Sequence, residues 1–220
     1  MEQVISYGLI GYKGKLGREV EKLFGEEGHK LVFTSDIDGE QESGKPQVLI
    51  DCSLPDAFDS NIQTVKKYGC PFVIAVTGLT DKNFETLRDL SQRTAVVQSF
   101  NFSIGIQVLL KLTETAAGIL DDWDVEITEI HHSLKKDKPS GTAKMIKEIL
   151  KDRNVNISSL RLGGIPGDHT VEFGAMGETL RITHHAISRR TFAEGILKSA
   201  EFVLRKDKGF YTFKDVVFED

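Results

Sequence analysis

Apolar positions along this chain follow two alternating rhythms, and the alternation sets the expected fold. Gln3 to Ile10 is a short, β-prone apolar run leading straight into glycines, as a buried first strand does. Leu16, Val20, Leu23 and Phe24 then fall at helical spacing, and Gly25 and Gly28 end that helix. Leu31 to Ser35 predicts a second strand stopping at Asp36, while Gly39 to Pro46 reads as a loop or a very reduced element. Strands are also expected at Val48–Ile50, which ends at Asp51, at Phe72–Val76, and at Ala95–Val97, which leads to Asn101. Helices over residues 57–68 and about 82–92 separate them. Strand–helix alternation of this kind argues for a parallel sheet with helices on both faces.

The texture changes after Asn101. Residues 104–120 predict a long amphipathic helix, and Asp124 to His131 alternates apolar and polar side chains, as a strand with one face on a core does. A glycine-rich segment (Gly163, Gly164, Gly167, Gly174, Gly177) precedes a strand-like Thr179 to His185. A helix over residues 192–204 follows, with Phe213 and Val216 to Phe218 in the tail. The fold class expected is α/β: a Rossmann-type parallel-sheet domain plus a second α+β domain with a mixed sheet. Residues 1–101 and 193–220 are assigned to the first, residues 102–192 to the second.

Composition narrows the function. The chain has 220 residues, 40% hydrophobic and 28% charged, with a formal net charge of -5. That sign gives no general attraction for phosphate backbones, so nucleic acid is not an expected partner. Cys52 and Cys70 are too few for a disulfide framework and lack zinc-site spacing. The start, Met1 to Ile5, has no basic n-region, and no run approaches the ~18 apolar residues of a membrane span. A cytoplasmic protein without a membrane partner is expected.

Gly11-Tyr12-Lys13-Gly14-Lys15-Leu16-Gly17 lies between the first strand and the first helix. Glycines there permit a tight turn and close approach of a pyrophosphate to the N–H groups opening the helix. Asp36 stands roughly 20 residues on, at a strand end, where an acid can bind the adenosine ribose. Asp36 and the following Ile37 favour a free 2′-hydroxyl, whereas Lys13 and Lys15 could neutralise a 2′-phosphate. NADH and NADPH therefore both remain open as the cofactor.

The densest chemistry runs from Glu129 to Ala143, beginning at a strand end and finishing at a helix start. Ser140 or Thr142 can cap that helix, and N–H groups near Gly141 and Thr142 suit an anion. Two imidazoles, several lysines and an anion-binding helix start are what a small polycarboxylate needs, and one of them can deliver a proton. Adjacent histidines on a strand point to opposite faces, so His131 and His132 are not expected to share a metal. Lys136 and Lys138 read as a solvated face, and His29 and His169 as surface residues.

Glu-Ile-x-Glu-x-His-His-x-x-Lys-x-Asp-x-Pro-Ser-Gly-Thr-Ala, from Glu126 to Ala143, resembles the signature of the dihydrodipicolinate reductase family. The likeness extends to Gly11–Gly17, Val76–Gly78, Asn101–Ser103, Thr183–His185 and Ser188–Ala193. The resemblance implies nicotinamide-dependent reduction of a small cyclic dicarboxylate on the route to diaminopimelate and lysine. It implies His131 as proton donor or acceptor, Lys135 as proton donor, and His132, Gly141 and Thr142 on the substrate carboxylates. Ser140 joins the candidate substrate-binding set. The implied cofactor positions are Gly11, Tyr12, Lys13, Gly14, Lys15, Leu16, Asp36, Ala75, Val76, Thr77, Ser99, Phe100, Asn101 and Phe102, and the implied assembly is a homotetramer formed through the second domain's sheet. The chain departs from the family pattern in being short, and in Ile37 and Leu54 where relatives often carry arginine. A semialdehyde-type dehydrogenase would need a cysteine nucleophile that neither Cys52 nor Cys70 offers. A non-enzymatic dinucleotide sensor would have no use for His131 and Lys135.

Overall fold

The computed structural model describes residues 4–219, so Gln3 of the expected first strand lies outside the described residues. In chain order the elements are β1 (Ser6–Ile10), α1 (Lys15–Glu26), β2 (Lys30–Asp36), β3 (Gly39–Glu42), β4 (Val48–Asp51), α2 (Phe58–Tyr68), β5 (Phe72–Ile74), α3 (Asp81–Ser91) and β6 (Ala95–Gln98). There follow α4 (Ile104–Ile119), β7 (Asp124–His131), α5 (Gly141–Ile149), β8 (Asn156–Arg161), β9 (Asp168–Gly174), β10 (Thr179–His185), α6 (Arg190–Leu204), β11 (Gly209–Thr212) and α7 (Phe213–Val217). The chain forms two compact units: the first runs to Phe102 and resumes at Arg189, and the second is Ser103–Ser188. The second junction falls earlier than the sequence suggests, because α6 already begins at Arg190.

The first unit is a seven-stranded sheet in the order β11-β6-β5-β4-β1-β2-β3. Its strands pair in parallel except β3, which folds back antiparallel on β2. All four β3 residues are exposed, which is why its polar sequence reads as a loop. The inner strands are buried on both faces. Leu9, Val48, Ile50, Val73 and Val97 pack with α1 and α6 residues such as Phe24 and Ile196. The alternate residues Ile10, Leu49, Phe72, Ile74 and Val96 pack with Ile62, Val65 and Leu87 of α2 and α3. Period-two alternation thus feeds two cores, as a doubly covered sheet requires. At Gly195 of α6 an added Cβ would overlap the Phe102 carbonyl oxygen and lie 2.7 Å from Phe213 Cζ, so helix and strand exit meet without a side chain between them.

The second unit is a mixed four-stranded sheet in the order β10-β9-β7-β8. β7 pairs in parallel with β8 and antiparallel with β9, and β9 pairs antiparallel with β10. β9 lies within the segment that reads as a glycine-rich connection, and β8 just before it, where the sequence predicts no element. One sheet face packs Val125, Ile127, Val171 and Phe173 against α4 and α5 through Ile106, Leu109, Ala143 and Ile146. Among the described residues, no helix is long and apolar enough to cross a membrane.

Candidate active site

In the first unit the expected dinucleotide residues gather at the carboxyl ends of neighbouring parallel strands. The chain leaves β1, builds β2 on one side of it, and returns to place β4 on the other. The crevice at such a reversal of strand order is where α/β sheets bind ligands. Gly11 follows β1 at φ 74°, and its N–H donates to Ser35 O at 2.8 Å. Gly14 is the N-cap of α1 and has no side chain to occupy the free N–H groups of Lys15 and Leu16. At Gly17 a Cβ would overlap Gly11 O and lie 2.7 Å from Tyr12 Cα, so the third glycine lets the helix lie on its own loop. This bare backbone cradle at a helix start fits a pyrophosphate.

Asp36 closes β2 with its carboxylate accepting from Lys13 N at 3.0 Å and Ile37 N at 2.9 Å. The Lys13 ammonium pairs with Asp38, an acid the sequence reading did not single out. Ala75, Val76 and Thr77 follow β5, with Val76 buried and Thr77 exposed. Ser99, Phe100, Asn101 and Phe102 follow β6. There the Ser99 hydroxyl donates to Asn101 O at 2.7 Å, and Phe100 stacks edge-on with Phe84.

In the second unit the alternation of β7 places Glu129 and His131 on its buried face. Glu129 is fully buried. Its carboxylate takes both terminal nitrogens of Arg161 at 3.0 Å, a forked geometry that suits a guanidinium. It also bonds His131 Nδ1 and accepts from Ser140 N at 3.3 Å. Burial by itself would raise this carboxyl, but the bonds from Arg161, Ser159 and His131 outweigh it and hold it at about 2. Sequence reasoning missed Glu129 and Arg161 as site residues.

His169 is corrected from surface to core. It is 2% exposed, because on β9 it shares a face with Val171 and Phe173 and pairs across to Glu129. Its ring stacks edge-on with His131 at 5.1 Å, and its Nε2 meets the Ser140 hydroxyl at 3.3 Å. His29 is half-buried, its Nδ1 accepting from Ile5 N at 3.3 Å. Ser140 is also buried, and its hydroxyl accepts from Ala143 N as the N-cap of α5. Gly141 opens α5, and Thr142 is buried beside it. His132 N donates to Ile165 O at 2.8 Å. Lys135 Nζ pairs with Asp137 at 2.8 Å, and the charge of Lys135 is felt at His131.

Donor atoms of Glu129, His131 and His169 lie within 4.8 Å of one another, a spacing a metal ion can use. Arg161 already holds both Glu129 oxygens, so a protein cation supplies the positive charge there.

Burial depresses His169 to about 3, with the His131 charge adding to the effect, and burial also lowers His131 and His184. In the unfolded chain these imidazoles titrate near about 6.5. Below that pH the unfolded state binds protons that the folded state refuses, so stability falls as pH drops. For His169 alone the slope approaches about 1.4 kcal/mol per pH unit, continuing toward its folded value. Melting temperatures are expected to be level between about pH 7 and 8 and to decline steadily from about pH 6.5 to 4.5. A flat profile across that range would contradict the buried, neutral imidazoles.

The family profile described as dihydrodipicolinate reductase, N-terminus, matches residues 34–102, and its C-terminal counterpart matches residues 105–217. The chain belongs to the dihydrodipicolinate reductase family. It is 53% identical over 213 residues to the 4-hydroxy-tetrahydrodipicolinate reductase of Thermosipho africanus, covering 97% of this chain and 98% of that one. Among solved structures, the dipicolinate-bound dihydrodipicolinate reductase from Paenisporosarcina sp. TG-14 superposes with a TM-score of 0.76 at 23% identity, over 96% of this chain and 98% of that one. An engineered D-amino acid dehydrogenase bound to NADP+ shares the fold at a TM-score of 0.60 and 12% identity, over 99% and 97% of the two chains.

Proposed function

We propose that this chain reduces 4-hydroxy-tetrahydrodipicolinate with a nicotinamide dinucleotide, on the diaminopimelate route to lysine. It is a nicotinamide-dependent oxidoreductase of its family, and its substrate is a cyclic dicarboxylate. The observation that carries the reading is the segment from Glu129 to Thr142, which sets a buried imidazole, a lysine and a helix start on one stretch of chain. NADH and NADPH are both candidates.

When bound, the reduced nicotinamide supplies the hydride. Gly11 to Leu16 hold the pyrophosphate against the start of α1, and Asp36 holds the ribose. Ala75–Thr77 and Ser99–Phe102 border the dinucleotide farther along the strand ends. His132 and the N–H groups of Gly141 and Thr142 hold the carboxylates, exploiting the positive end of α5. Lys135, kept in place by Asp137, protonates the ring carbon beside the one that is reduced. The first unit, which runs to Phe102 and resumes at Arg189, takes the dinucleotide, and the second, Ser103–Ser188, takes the substrate and the assembly contacts. The open face of the second sheet, with Ile130 and Leu160 between polar side chains, supports assembly into a homotetramer. Free Cys52 and Cys70 support a reducing, cytoplasmic setting.

Calorimetric titration with dipicolinate tests the carboxylate site. The wild-type protein, saturated with dinucleotide, is expected to bind it, and His132→Ala to bind roughly 10- to 100-fold more weakly, the scale of one hydrogen bond to a charged group. Equal affinities would remove His132 from the site.

A further inference from the structure

His131 could act as proton donor or as acceptor, and the side chains around it separate the two. On β7, Glu129 accepts from Arg161 through both oxygens and bonds His131 Nδ1 through Oε2. An ionised carboxylate only accepts, so the proton in the bond to His131 belongs to Nδ1. The other ring nitrogen, Nε2, faces Gly167, where an added Cβ would lie only 2.9 Å away. We infer that Glu129, clamped by Arg161, is a positioning residue that holds His131 as its Nδ1–H tautomer and leaves Nε2, packed close beside Gly167, unprotonated.

The charged and titratable groups around the ring agree. Burial lowers His131, and the charges of Lys135 and Arg161 act in the same direction against the raising effect of Glu129. His169 approaches from β9 as a neutral ring, its own value depressed by burial. His131 is therefore neutral at physiological pH, and its Nε2 is an acceptor. Within the proposed reductase function, on which this role rests, His131 orients a substrate N–H or O–H and leaves proton donation to Lys135.

The test is nitrogen-15 NMR of the full-length protein labelled at histidine, at pH 7.5, with the His131 resonances assigned through His131→Gln. A protonated Nδ1 and a bare Nε2 are expected. An Nε2–H tautomer, or an averaged mixture, would overturn the assignment even if the enzyme turns over normally. The spectrum is independent of activity, so a protein inert toward the dicarboxylate would sink the functional reading without deciding the tautomer. In Glu129→Gln, kcat is expected to fall roughly 100-fold, within the range for a misplaced proton-handling group, with KM for the dicarboxylate within about threefold. The acidic limb of its pH profile is expected to move to lower pH, because the carboxylate that raises His131 is gone. Unchanged kcat and a superimposable profile would reduce Glu129 to a structural role. If the buried substitution prevents folding, the wild-type spectrum still decides.

Discussion

Lys135→Ala lowers kcat by about 10²- to 10⁴-fold, the usual contribution of a positioned proton donor, while dinucleotide affinity stays within about threefold. The expectation rests on where the residue sits. Lys135 lies in the second unit on the turn between β7 and α5, its N–H donating to His132 O at 3.1 Å. Its side chain is 19% exposed and pairs with Asp137, so the ammonium is held rather than waving in solvent. None of the dinucleotide contacts proposed for the first unit involves it. Truncation removes one charge and one donor without opening a packed core, so the protein should still fold. Steady-state kinetics and a dinucleotide titration on the same preparation separate the effects. Wild-type turnover would take Lys135 out of the chemistry, and a parallel loss of dinucleotide affinity would mean a wider structural collapse.

Gly11→Ala should weaken NADH and NADPH binding alike, by roughly 100-fold, the scale of losing one or two hydrogen bonds to a charged phosphate. The added Cβ would lie 2.7 Å from Ser53 N and 2.8 Å from Ser53 Cα, at a residue whose φ of 74° already disfavours a side chain. Both neighbours are backbone, and that backbone is anchored. Ser53 N donates to the buried Asp51 carboxylate at 2.9 Å, and the Asn61 amide ties Asp51 and Ser53 together, also at 2.9 Å. The strain therefore falls on the glycine loop, which shifts away from the start of α1. Backbone strain of about 1–3 kcal/mol should also lower the melting temperature by a few degrees. Fluorescence titration with each dinucleotide measures the loss, and a wild-type Kd for both would show that the loop does not carry the pyrophosphate.

Much of the fold is legible because burial repeats at short range. The strands of the first unit are apolar runs, and Asp124–His131 alternates so regularly that its range matches the observed strand. β8 and β9 are harder to see, since Asn156–Arg161 is polar and half-exposed and the flanking glycines suggest loop. The edge strand β3 is polar for the same reason. At the site, the local string from His131 to Thr142 is visible from residue types alone. Its support is not, because Arg161 reaches Glu129 across 32 residues of chain and no local pattern announces that pairing. His169 does carry a signal of its burial: it alternates with Val171 and Phe173, which places it on the buried face. A histidine judged by its own polarity looks exposed, whereas one judged by its strand period does not.

The most direct measurement is nicotinamide oxidation, followed by absorbance, in a coupled assay. A dihydrodipicolinate synthase supplies fresh substrate, and NADH and NADPH are run separately. Oxidation that requires both the synthase and this protein is the predicted result, and the two rates rank the cofactors. Absence of oxidation with either cofactor, from folded protein that binds one of them, would contradict the reductase function.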